Sequence, residues 1–474
     1  MRVFKKTFLT FIFILFFGFI SCDLSNDKIP PNIIFILTDD LGFKDLSSYG
    51  STTINTPNLD KLANQGALLN SYYSTQAVCS ASRASILTGS YSNRIGFSGA
   101  LGPNSKTGIN PNELLLSEML KENLYKTAIY GKWHLGDNEK FFPTRHGFDD
   151  FYGILYSNDM WPYHPERPDS YPDLMLYENE NPIEVLTDQS NLTMDITSKS
   201  VKFINENKEN PFFLYIAHPQ PHVPLFASSK FNGKSENGLY ADVIEEIDYS
   251  LEKIMEALKE NDLDKNTIVV FTSDNGPWLS YGRHAGSTGI YREGKGTTWE
   301  GGQRVPAIVW YPKEIKPNTV ISTPLMGIDW LPTFARVTDS KLSENKIDGK
   351  NIWGILTNES EENPHEALFF YYHTNSLHGV RYGDWKMYFP HSYRTLNGRN
   401  GRDDGYPIKY EYKDLKEIEL YNLSKDPSET NNVYSEYPDI VKEIKNLADI
   451  KRTEIGDDLK NIKGTENRPI GVID

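Results

Sequence analysis

A thiol and a guanidinium stand four residues apart in the segment Cys79-Ser80-Ala81-Ser82-Arg83. If a helix begins near Cys79, that spacing places both side chains on the same helix face. The first turn of a helix also offers free backbone N–H groups that attract an anion. The segment therefore predicts a helix N-terminus at which residue 79 and Arg83 could meet an anionic group. Taken alone, the segment also fits an ordinary helix start with a salt-bridging arginine.

Acidic and amide side chains follow two apolar runs elsewhere in the chain. Asp39-Asp40 comes after the run at 32–37, and Asp274-Asn275 comes after the run at 267–272, with one hydroxyl residue between in each case. Three carboxylates and an amide supply hard oxygen ligands, which suit Ca²⁺ or Mg²⁺ better than Zn²⁺. These residues predict a divalent metal site, although each pair alone is commonly a solvated turn.

Lysine and histidine side chains complete the set of groups that could do chemistry. They are Lys132, His134, His218, His222 and, in the glycine-rich segment 294–302, Lys295. Histidine suits proton transfer because its unperturbed pKa lies near neutral pH. A lone histidine beside a tryptophan, like a glycine-rich turn, is more often structural. The pattern becomes informative only when the elements that position these residues are considered.

Four of the polar segments follow short apolar runs. The runs are residues 32–37, 125–130, 212–217 and 267–272. Such runs are typical of strands buried on both faces of a parallel sheet. Helical patterns lie between them, near 56–66, 113–123 and 240–258. Alternating strands and helices predict an α/β domain with a mostly parallel central sheet flanked by helices, and the polar segments should meet at the carboxyl edge of that sheet.

The chain reads differently from about residue 364 onward. Short strand patterns with turns between them occur at 367–372, 377–381, 385–389 and 416–421, and a helical pattern covers 437–451. They predict a smaller C-terminal α+β subdomain with an antiparallel sheet. The expected organisation is therefore a signal peptide at 1–22, a catalytic α/β domain at 30–363 and a C-terminal subdomain at 364–474.

The first 22 residues have the pattern of a targeting segment. Arg2, Lys5 and Lys6 precede an apolar run at 8–20, which ends in Ser21-Cys22. A small residue followed by Cys at the end of such a run resembles a bacterial lipoprotein signal, and an ordinary signal peptidase site nearby is the alternative. We expect an exported protein in the periplasm or anchored to the outer membrane of a Gram-negative bacterium, with membrane contact only through a lipid on Cys22.

Composition narrows the possible partners and the state of Cys79. The 474 residues include 49 basic and 64 acidic ones, for a formal charge of −15, which predicts no nucleic-acid partner. Cys22 and Cys79 are the only cysteines. Because Cys22 is cleaved off or acylated, Cys79 would have no disulfide partner in an oxidising compartment. A leftover thiol can also be a small buried hydrophobe.

Residues 79–89 resemble the maturation signature of type I sulfatases, an arylsulfatase-like family in the alkaline phosphatase superfamily that oxidises this Cys to formylglycine (3-oxoalanine). The commoner family form has Pro where this chain has Ala81. That difference leaves open which formylglycine-generating maturation enzyme accepts the chain. Five segments between residues 32 and 302 match the family in the family's order, and the part after them is compatible without being diagnostic.

The resemblance implies a role for each candidate residue. Asp39, Asp40, Asp274 and Asn275 would bind one Ca²⁺ together with residue 79, and Arg83 would hold the hydrated aldehyde. Lys132 and Lys295 would contact sulfate. His222, which aligns better than His218, would protonate the leaving oxygen with help from Lys295. His134 would then deprotonate the second hydroxyl of the diol so that sulfate is expelled.

The function expected from the resemblance is hydrolysis of sulfate esters on a sulfated oligo- or polysaccharide, with an algal glycan such as ulvan as the first guess. The alternatives are a phosphodiesterase or phosphonate monoester hydrolase, and a non-catalytic binder of sulfated glycans if Cys79 is not converted. Selectivity is expected from residues around the pocket, namely 158–164, Arg283-His284, His373 and Arg381.

Overall fold

The computed structural model describes residues 30–473 of the chain. The predicted signal peptide at 1–22, with Cys22, lies outside the described residues. Within residues 30–473, no helix has the combination of length and apolar character that crossing a membrane requires.

Helices and strands alternate through the first two thirds of the described chain. The helices are α1 (Pro57–Gln65), α2 (Cys79–Thr88), α3 (Leu116–Glu122), α4 (Leu192–Glu206), α5 (Leu239–Glu260), α6 (Glu300–Gln303), α7 (Trp330–Thr338), α8 (Trp353–Leu356) and α9 (Pro438–Ile455). The strands up to residue 326 are β1 (Asn32–Thr38), β2 (Ala67–Leu69), β3 (Tyr72–Tyr73), β4 (Thr107–Gly108), β5 (Lys126–Lys132), β6 (Asp150–Ile154), β7 (Met175–Glu178), β8 (Asn181–Val185), β9 (Phe212–Ala217), β10 (Thr267–Ser273), β11 (Ala307–Trp310), β12 (Thr319–Ile321) and β13 (Leu325–Met326). The later strands are β14 (Leu368–Tyr372), β15 (Ser376–Tyr382), β16 (Trp385–Tyr388), β17 (His391–Thr395), β18 (Glu411–Leu415), β19 (Glu419–Asn422), β20 (Gly456–Asp457), β21 (Ile462–Lys463) and β22 (Gly471–Val472).

The main sheet has ten strands in the order β12-β2-β11-β10-β1-β9-β5-β6-β7-β8. The four predicted strands lie side by side at its centre as β10-β1-β9-β5, all parallel, and β6 extends this parallel block. Every residue of β1, β9 and β10 is buried, as expected for apolar strands covered on both faces. The predicted α/β class with a mostly parallel central sheet is confirmed. Antiparallel pairings flank the parallel block on both sides, and the edge strand β12 pairs with β2 in parallel.

Several predicted boundaries differ from the structure by two or more residues. The strand predicted at 125–130 continues to Lys132, so Lys132 belongs to β5 and not to the loop after it. The helix predicted from 113 begins at Leu116, because the Glu118 carboxylate accepts the Leu115 N–H and fixes the start there. The strand predicted at 416–421 begins at Glu419.

The C-terminal part contains a four-stranded antiparallel sheet, β14-β15-β16-β19, which confirms the predicted small antiparallel sheet. The apolar residues of this sheet share a core with α9. The same core includes Tyr73 and Tyr91, which precede and follow α2 in sequence, and Met326 and Ile328, which lie in β13 and just after it. The pair β17–β18 forms a separate antiparallel hairpin, which sequence patterns did not predict because β18 is exposed over most of its length. This hairpin reaches the site described below.

Two buried histidines of the C-terminal part make its stability dependent on pH. The rings of His378 and His391 stack with centroids 3.9 Å apart. Burial lowers the pKa of His391 to about 4, and burial together with His391 and His373 holds the pKa of His378 well below its ordinary value. The unfolded chain, with ordinary histidines, binds more protons between about pH 6.5 and 4. The free energy of unfolding therefore falls as pH falls, by up to about 1.4 kcal/mol per pH unit for each such histidine.

The substitution His378→Leu tests this pH dependence, because leucine keeps the site apolar and removes one titrating ring. We expect the melting temperature of the wild-type protein to fall further than that of the variant when both are moved from about pH 7.5 to about pH 5.5. Thermal unfolding across that range measures the difference. Melting curves of the two proteins that shift in parallel would show that His378 does not titrate on unfolding in this window.

Candidate active site

Two strand ends bring the acidic segments together at the carboxyl edge of the main sheet. Thr38 of β1 is paired in register with Ser273 of β10, so the residues that follow them are neighbours. Asp40 adopts a positive φ of 65°, and its Oδ1 accepts a hydrogen bond of 2.6 Å from the Asn275 amide. The predicted convergence of these four residues is observed.

Helix α2 begins at Cys79, as the sequence predicted, and all of its residues are buried. Arg83 lies one turn further and donates to three acceptors, each at 2.9 Å. They are Asp274 Oδ2, Asp39 Oδ2 and the Lys132 carbonyl. One buried guanidinium thus ties α2 to the ends of β1, β10 and β5. The predicted contact of Arg83 with the group at residue 79 stays a prediction.

Two lysines lie in the cluster around residue 79 and contact different carboxylates. Lys132 Nζ lies 2.5 Å from Asp39 Oδ2 and 3.0 Å from Ser157 Oγ. Lys295 Nζ lies 2.6 Å from Asp40 Oδ1 and 3.4 Å from Cys79 Sγ. Both ammonium groups are buried. The structure therefore places the two predicted anion-binding lysines against the predicted metal ligands.

The two candidate histidines after β9 have different surroundings. His222 Nδ1 lies 2.5 Å from the Val223 carbonyl and donates to it, which leaves Nε2 facing Asp40 Oδ2 at 3.7 Å. His218 instead lies 3.5 Å from Ser250 of α5. The structure thus brings His222 to the carboxylates, and its catalytic role stays a prediction.

His134 follows β5 in a left-handed conformation, with φ 63°. Its Nε2 is 2.8 Å from the Leu101 carbonyl and donates to it, while the buried Nδ1 has no hydrogen-bond partner in the described chain. Burial has the largest effect on the pKa of His134, and the positive charges of Lys132 and Arg83 come next. Together they hold the pKa of His134 well below its ordinary value. His134 is therefore a neutral imidazole with one free acceptor nitrogen at neutral pH.

Charge at the site is set by buried carboxylates and the cations around them. Burial alone would raise the pKa of Asp39, but the neighbouring cations, Lys132 foremost, outweigh burial and hold that pKa well below its usual range. Burial, followed by the charge of Asp39, raises the pKa of the Cys79 thiol to about 12. An unmodified Cys79 would thus stay a protonated thiol at neutral pH.

Several of the predicted ligands have oxygens free to hold a cation. Asp39 Oδ1, Asp40 Oδ2 and Asn275 Oδ1 are buried and have no hydrogen-bond partner among the described residues. Ligand atoms of Asp39, Asp40, Cys79 and His222 all lie within 4.8 Å of one another. Asp274 is engaged otherwise, since its Oδ2 accepts from Arg83. Three orphaned oxygens in one buried cluster fit a hard divalent cation.

Sequence reasoning missed several residues that complete the site. Ser157 follows β6, a strand not recognised because it begins with an acidic residue and contains a glycine. Asn158, the next residue, begins the segment 158–164 that was expected near the pocket. Asn158 Nδ2 is 3.4 Å from the His222 carbonyl. The Trp278 ring lies 5.6 Å from the His222 ring, and a Trp three residues after Asn275 was a usable signal. Arg394 reaches the site from β17, and nothing in the sequence pointed to it.

Arg381, one of the residues expected to contribute to selectivity, has other surroundings. Arg381 is buried and donates to Ser71 Oγ at 3.1 Å and to the Tyr73 hydroxyl. It therefore has no free surface toward a substrate. His373 lies beside His378, with ring centroids 5.9 Å apart, in the turn between β14 and β15.

Comparison with known proteins gives consistent matches over most of the chain. The family model described as Sulfatase matches residues 31–340, and the one described as N-sulphoglucosamine sulphohydrolase, C-terminal, matches residues 289–453. Arylsulfatase of Hemicentrotus pulcherrimus is 34% identical over 433 residues, covering 85% of this chain and 77% of the relative. N-acetylgalactosamine-6-sulfatase of Rattus norvegicus is 38% identical over 377 residues, covering 76% and 71%. The solved structure of Ps i-CgsB in complex with k-i-k-neocarrahexaose matches with TM-score 0.74 and 30% identity, covering 89% of this chain and 92% of that one.

Proposed function

The chain belongs to the sulfatase family, and we propose that it is an exported enzyme that hydrolyses sulfate esters on carbohydrates, with a formylglycine made from Cys79 and one Ca²⁺. The observation that carries the proposal is the group of buried cations around residue 79. Lys295 Nζ lies 3.4 Å from Cys79 Sγ, and Lys132 and Arg83 are buried in the same cluster. These cations are paired with the carboxylates of Asp39, Asp40 and Asp274, so a bound divalent cation would make the cluster positive and suited to an anionic substrate, although the whole chain carries a formal charge of −15.

The high pKa of the Cys79 thiol supports formylglycine, the oxidised form of this residue, as the source of the nucleophile. A thiol with a pKa of about 12 is a poor nucleophile, because the thiolate is the reactive species. Formylglycine, as its hydrate, would supply an oxygen nucleophile toward sulfur, and Ca²⁺ would supply positive charge beside the sulfate oxygens. Asp39, Asp40 and Asn275 would hold the ion through their unpartnered oxygens. Residue 79 and Asp274 would complete the set, the latter through Oδ1, which accepts only a long bond of 3.4 Å from the Asp40 N–H.

The chain's own residues would divide the remaining tasks. Lys132 and Lys295 bind the sulfate oxygens and stabilise charge that develops on them in the transition state. His222 donates its Nδ1–H to the Val223 carbonyl, so it carries a proton at Nε2 only as the imidazolium; burial, followed by Lys295, lowers its pKa, and the nearby Asp40 carboxylate opposes that shift. In the imidazolium form it would deliver the Nε2 proton to the leaving alcohol. His134 accepts a proton at Nδ1, which is buried and unpartnered. His222 therefore acts as the proton donor and His134 as the proton acceptor.

A sugar is favoured as the alcohol part of the substrate. Asn158 and Asp159 each keep a buried side-chain oxygen without a partner in the described chain, and Asn158 contacts the His222 carbonyl. Such acceptors suit the hydroxyl groups of a sugar next to the leaving oxygen. The match to a structure that holds a neocarrahexaose supports an oligosaccharide substrate. We propose an algal glycan as the source, with carrageenan and ulvan oligosaccharides as first choices.

The substrate class is tested by sulfate release from a panel of sulfated sugars. The panel contains carrageenan and ulvan oligosaccharides and N-acetylgalactosamine 6-sulfate, and the protein is co-expressed with a maturation enzyme in calcium. Peptide mass spectrometry first verifies the aldehyde at residue 79. We expect release from at least one sugar class. No release by aldehyde-bearing protein, together with turnover of a phosphonate monoester or phosphodiester, would replace the proposal by the phosphoester alternative.

Removal of calcium tests the metal site without relying on turnover. We expect a chelator to lower both sulfate release and melting temperature, because the ion neutralises carboxylates that are otherwise buried together. Ca²⁺ at about 1,000 times its dissociation constant would stabilise the fold by about 4 kcal/mol. The double variant Asp40→Asn/Asn275→Asp keeps the net charge and is expected to weaken this calcium-dependent shift. A melting temperature that calcium and chelator leave unchanged would contradict a structural ion at this site.

A further inference from the structure

In the β17–β18 hairpin, Arg394 contacts the backbone of the candidate active-site residue Lys295. Its Nε donates to the Lys295 carbonyl at 2.8 Å, and its Nη2 donates to the same oxygen. The guanidinium carbon lies 4.5 Å from the centroid of the Tyr410 ring and 5.8 Å from that of Trp278. A residue nearly one hundred positions away in sequence thus contacts the backbone of a proposed sulfate-binding lysine.

The backbone at Lys295 is held on three sides. The Lys295 N–H donates to the Pro277 carbonyl and the Gly296 N–H donates to the Ala77 carbonyl, both at 2.9 Å. Arg394 holds the third group, the Lys295 carbonyl. Gly296 has φ +80°, and a Cβ atom there would lie 2.4 Å from the Arg394 guanidinium. Glycine at 296 is therefore required for the close approach of Arg394.

Fixing this backbone matters because the lysine side chain is long and flexible. Its Nζ must stay 3.4 Å from residue 79 and 2.6 Å from Asp40 to act on a substrate held there. The Trp278 ring beside Arg394 in turn packs against His222. One guanidinium therefore supports both the lysine and, through Trp278, the proposed proton donor.

We propose that Arg394 is a positioning residue that holds Lys295, and the Trp278 ring next to His222, in the geometry needed for catalysis. The proposal rests on the proposed sulfatase function, because the role of Lys295 comes from it. Arg394 itself need not touch the substrate. Its contribution is transmitted through a backbone carbonyl and an aromatic contact.

Kinetics of Arg394 variants test the proposal. We expect Arg394→Ala to lower kcat by about 10- to 100-fold with a smaller change in KM, because displaced supporting groups misplace the reacting ones. Arg394→Lys should recover part of the loss, since lysine can still donate to the carbonyl. Arg399→Ala is the matched control: Arg399 closes the same hairpin by donating to the Leu396 and Lys409 carbonyls and should leave kcat unchanged.

A double-mutant cycle separates positioning from general destabilisation. If Arg394 acts through Lys295, Arg394→Ala should lower kcat much less in a Lys295→Ala background than in wild type. Full additivity of the two losses, or an equal loss of kcat in Arg399→Ala, would overturn the proposal. Melting temperatures identify any variant that is simply unfolded.

Crystal structures of wild type and Arg394→Ala give a readout that does not need turnover. We expect Lys295 Nζ to leave hydrogen-bond distance of Asp40 in the variant. An unchanged Lys295 would overturn the positioning role whatever the kinetics show. A wild-type protein that is inactive on every sulfate ester would instead count against the proposed function, while the two structures would still decide whether Arg394 positions Lys295.

Discussion

Replacement of Cys79 by alanine is expected to abolish sulfate release, with a loss of kcat on the order of 10⁴-fold or more, as when the nucleophile of a hydrolase is removed. Alanine cannot be converted to formylglycine, so no aldehyde hydrate would stand beside Lys295 and the metal ligands. The comparison requires wild-type and variant proteins matured in the same cells, with sulfate release measured on the substrate that the panel identifies. Wild-type activity should scale with the fraction of residue 79 found as aldehyde.

The variant should remain folded, which makes the result interpretable. Cys79 is buried at 2% exposure, and alanine removes only its sulfur atom. We expect a melting temperature close to that of wild type and calcium binding that is weakened but not lost. Sulfate release by Cys79→Ala at a rate near that of wild type would exclude residue 79 as the nucleophile. Aldehyde-free wild type with full activity would exclude formylglycine.

Replacement of Arg83 by methionine should lower the free energy of unfolding and also abolish sulfate release. Arg83 is 1% exposed and forms ion pairs of 2.9 Å with Asp39 and Asp274, which are themselves fully buried. Removing the guanidinium leaves the buried Asp274 carboxylate without its ion-pair partner, while Asp39 keeps Lys132, and we expect a loss of about 3–5 kcal/mol in the free energy of unfolding. Denaturant unfolding in calcium and sulfate release measure the two effects.

Arg94→Met is the matched control for Arg83→Met. Arg94 is also fully buried and pairs with Asp348 at 2.6 Å, but its partners lie outside the candidate active site. We expect a loss of stability of the same order with kcat nearly unchanged in the folded fraction. Equal losses of kcat in both variants would mean that destabilisation alone explains the Arg83 result. Adding Asp274→Asn to Arg83→Met should restore part of the stability and none of the activity.

The parallel core and the start of α2 could be predicted from the sequence because their causes are local. A continuous apolar run between turn residues is stable only when both faces are covered, which identified β1, β9 and β10 as central strands. The residues that follow such strands must lie at one edge, so the meeting of Asp39 with Asp274 was predictable. Similarly, the spacing of Cys79 and Arg83 placed them one helical turn apart.

Contacts between distant segments were decided only by the tertiary structure. Sequence patterns could identify Lys132 and Arg83 as candidate anion-binding residues. Only the tertiary structure shows that the Arg83 guanidinium donates hydrogen bonds to three acceptors within the protein. The exposed strand β18 has no apolar alternation, so neither its hairpin nor Arg394 could be anticipated. Arg381 was expected near the substrate and is instead buried against Tyr73.

One physical reason explains why some features could be predicted from the sequence and others were decided by the tertiary structure. Hydrophobic periodicity and helix starts depend on neighbours within a few residues, and the sequence by itself determined which segments form the core and which polar residues end its strands. The partner of a long polar side chain depends on which elements pack side by side, and that is settled by burial across the whole chain. The sequence therefore determined the family and the inner residues of the site, while the tertiary structure decided how Arg83, Lys295 and Arg394 are held around them.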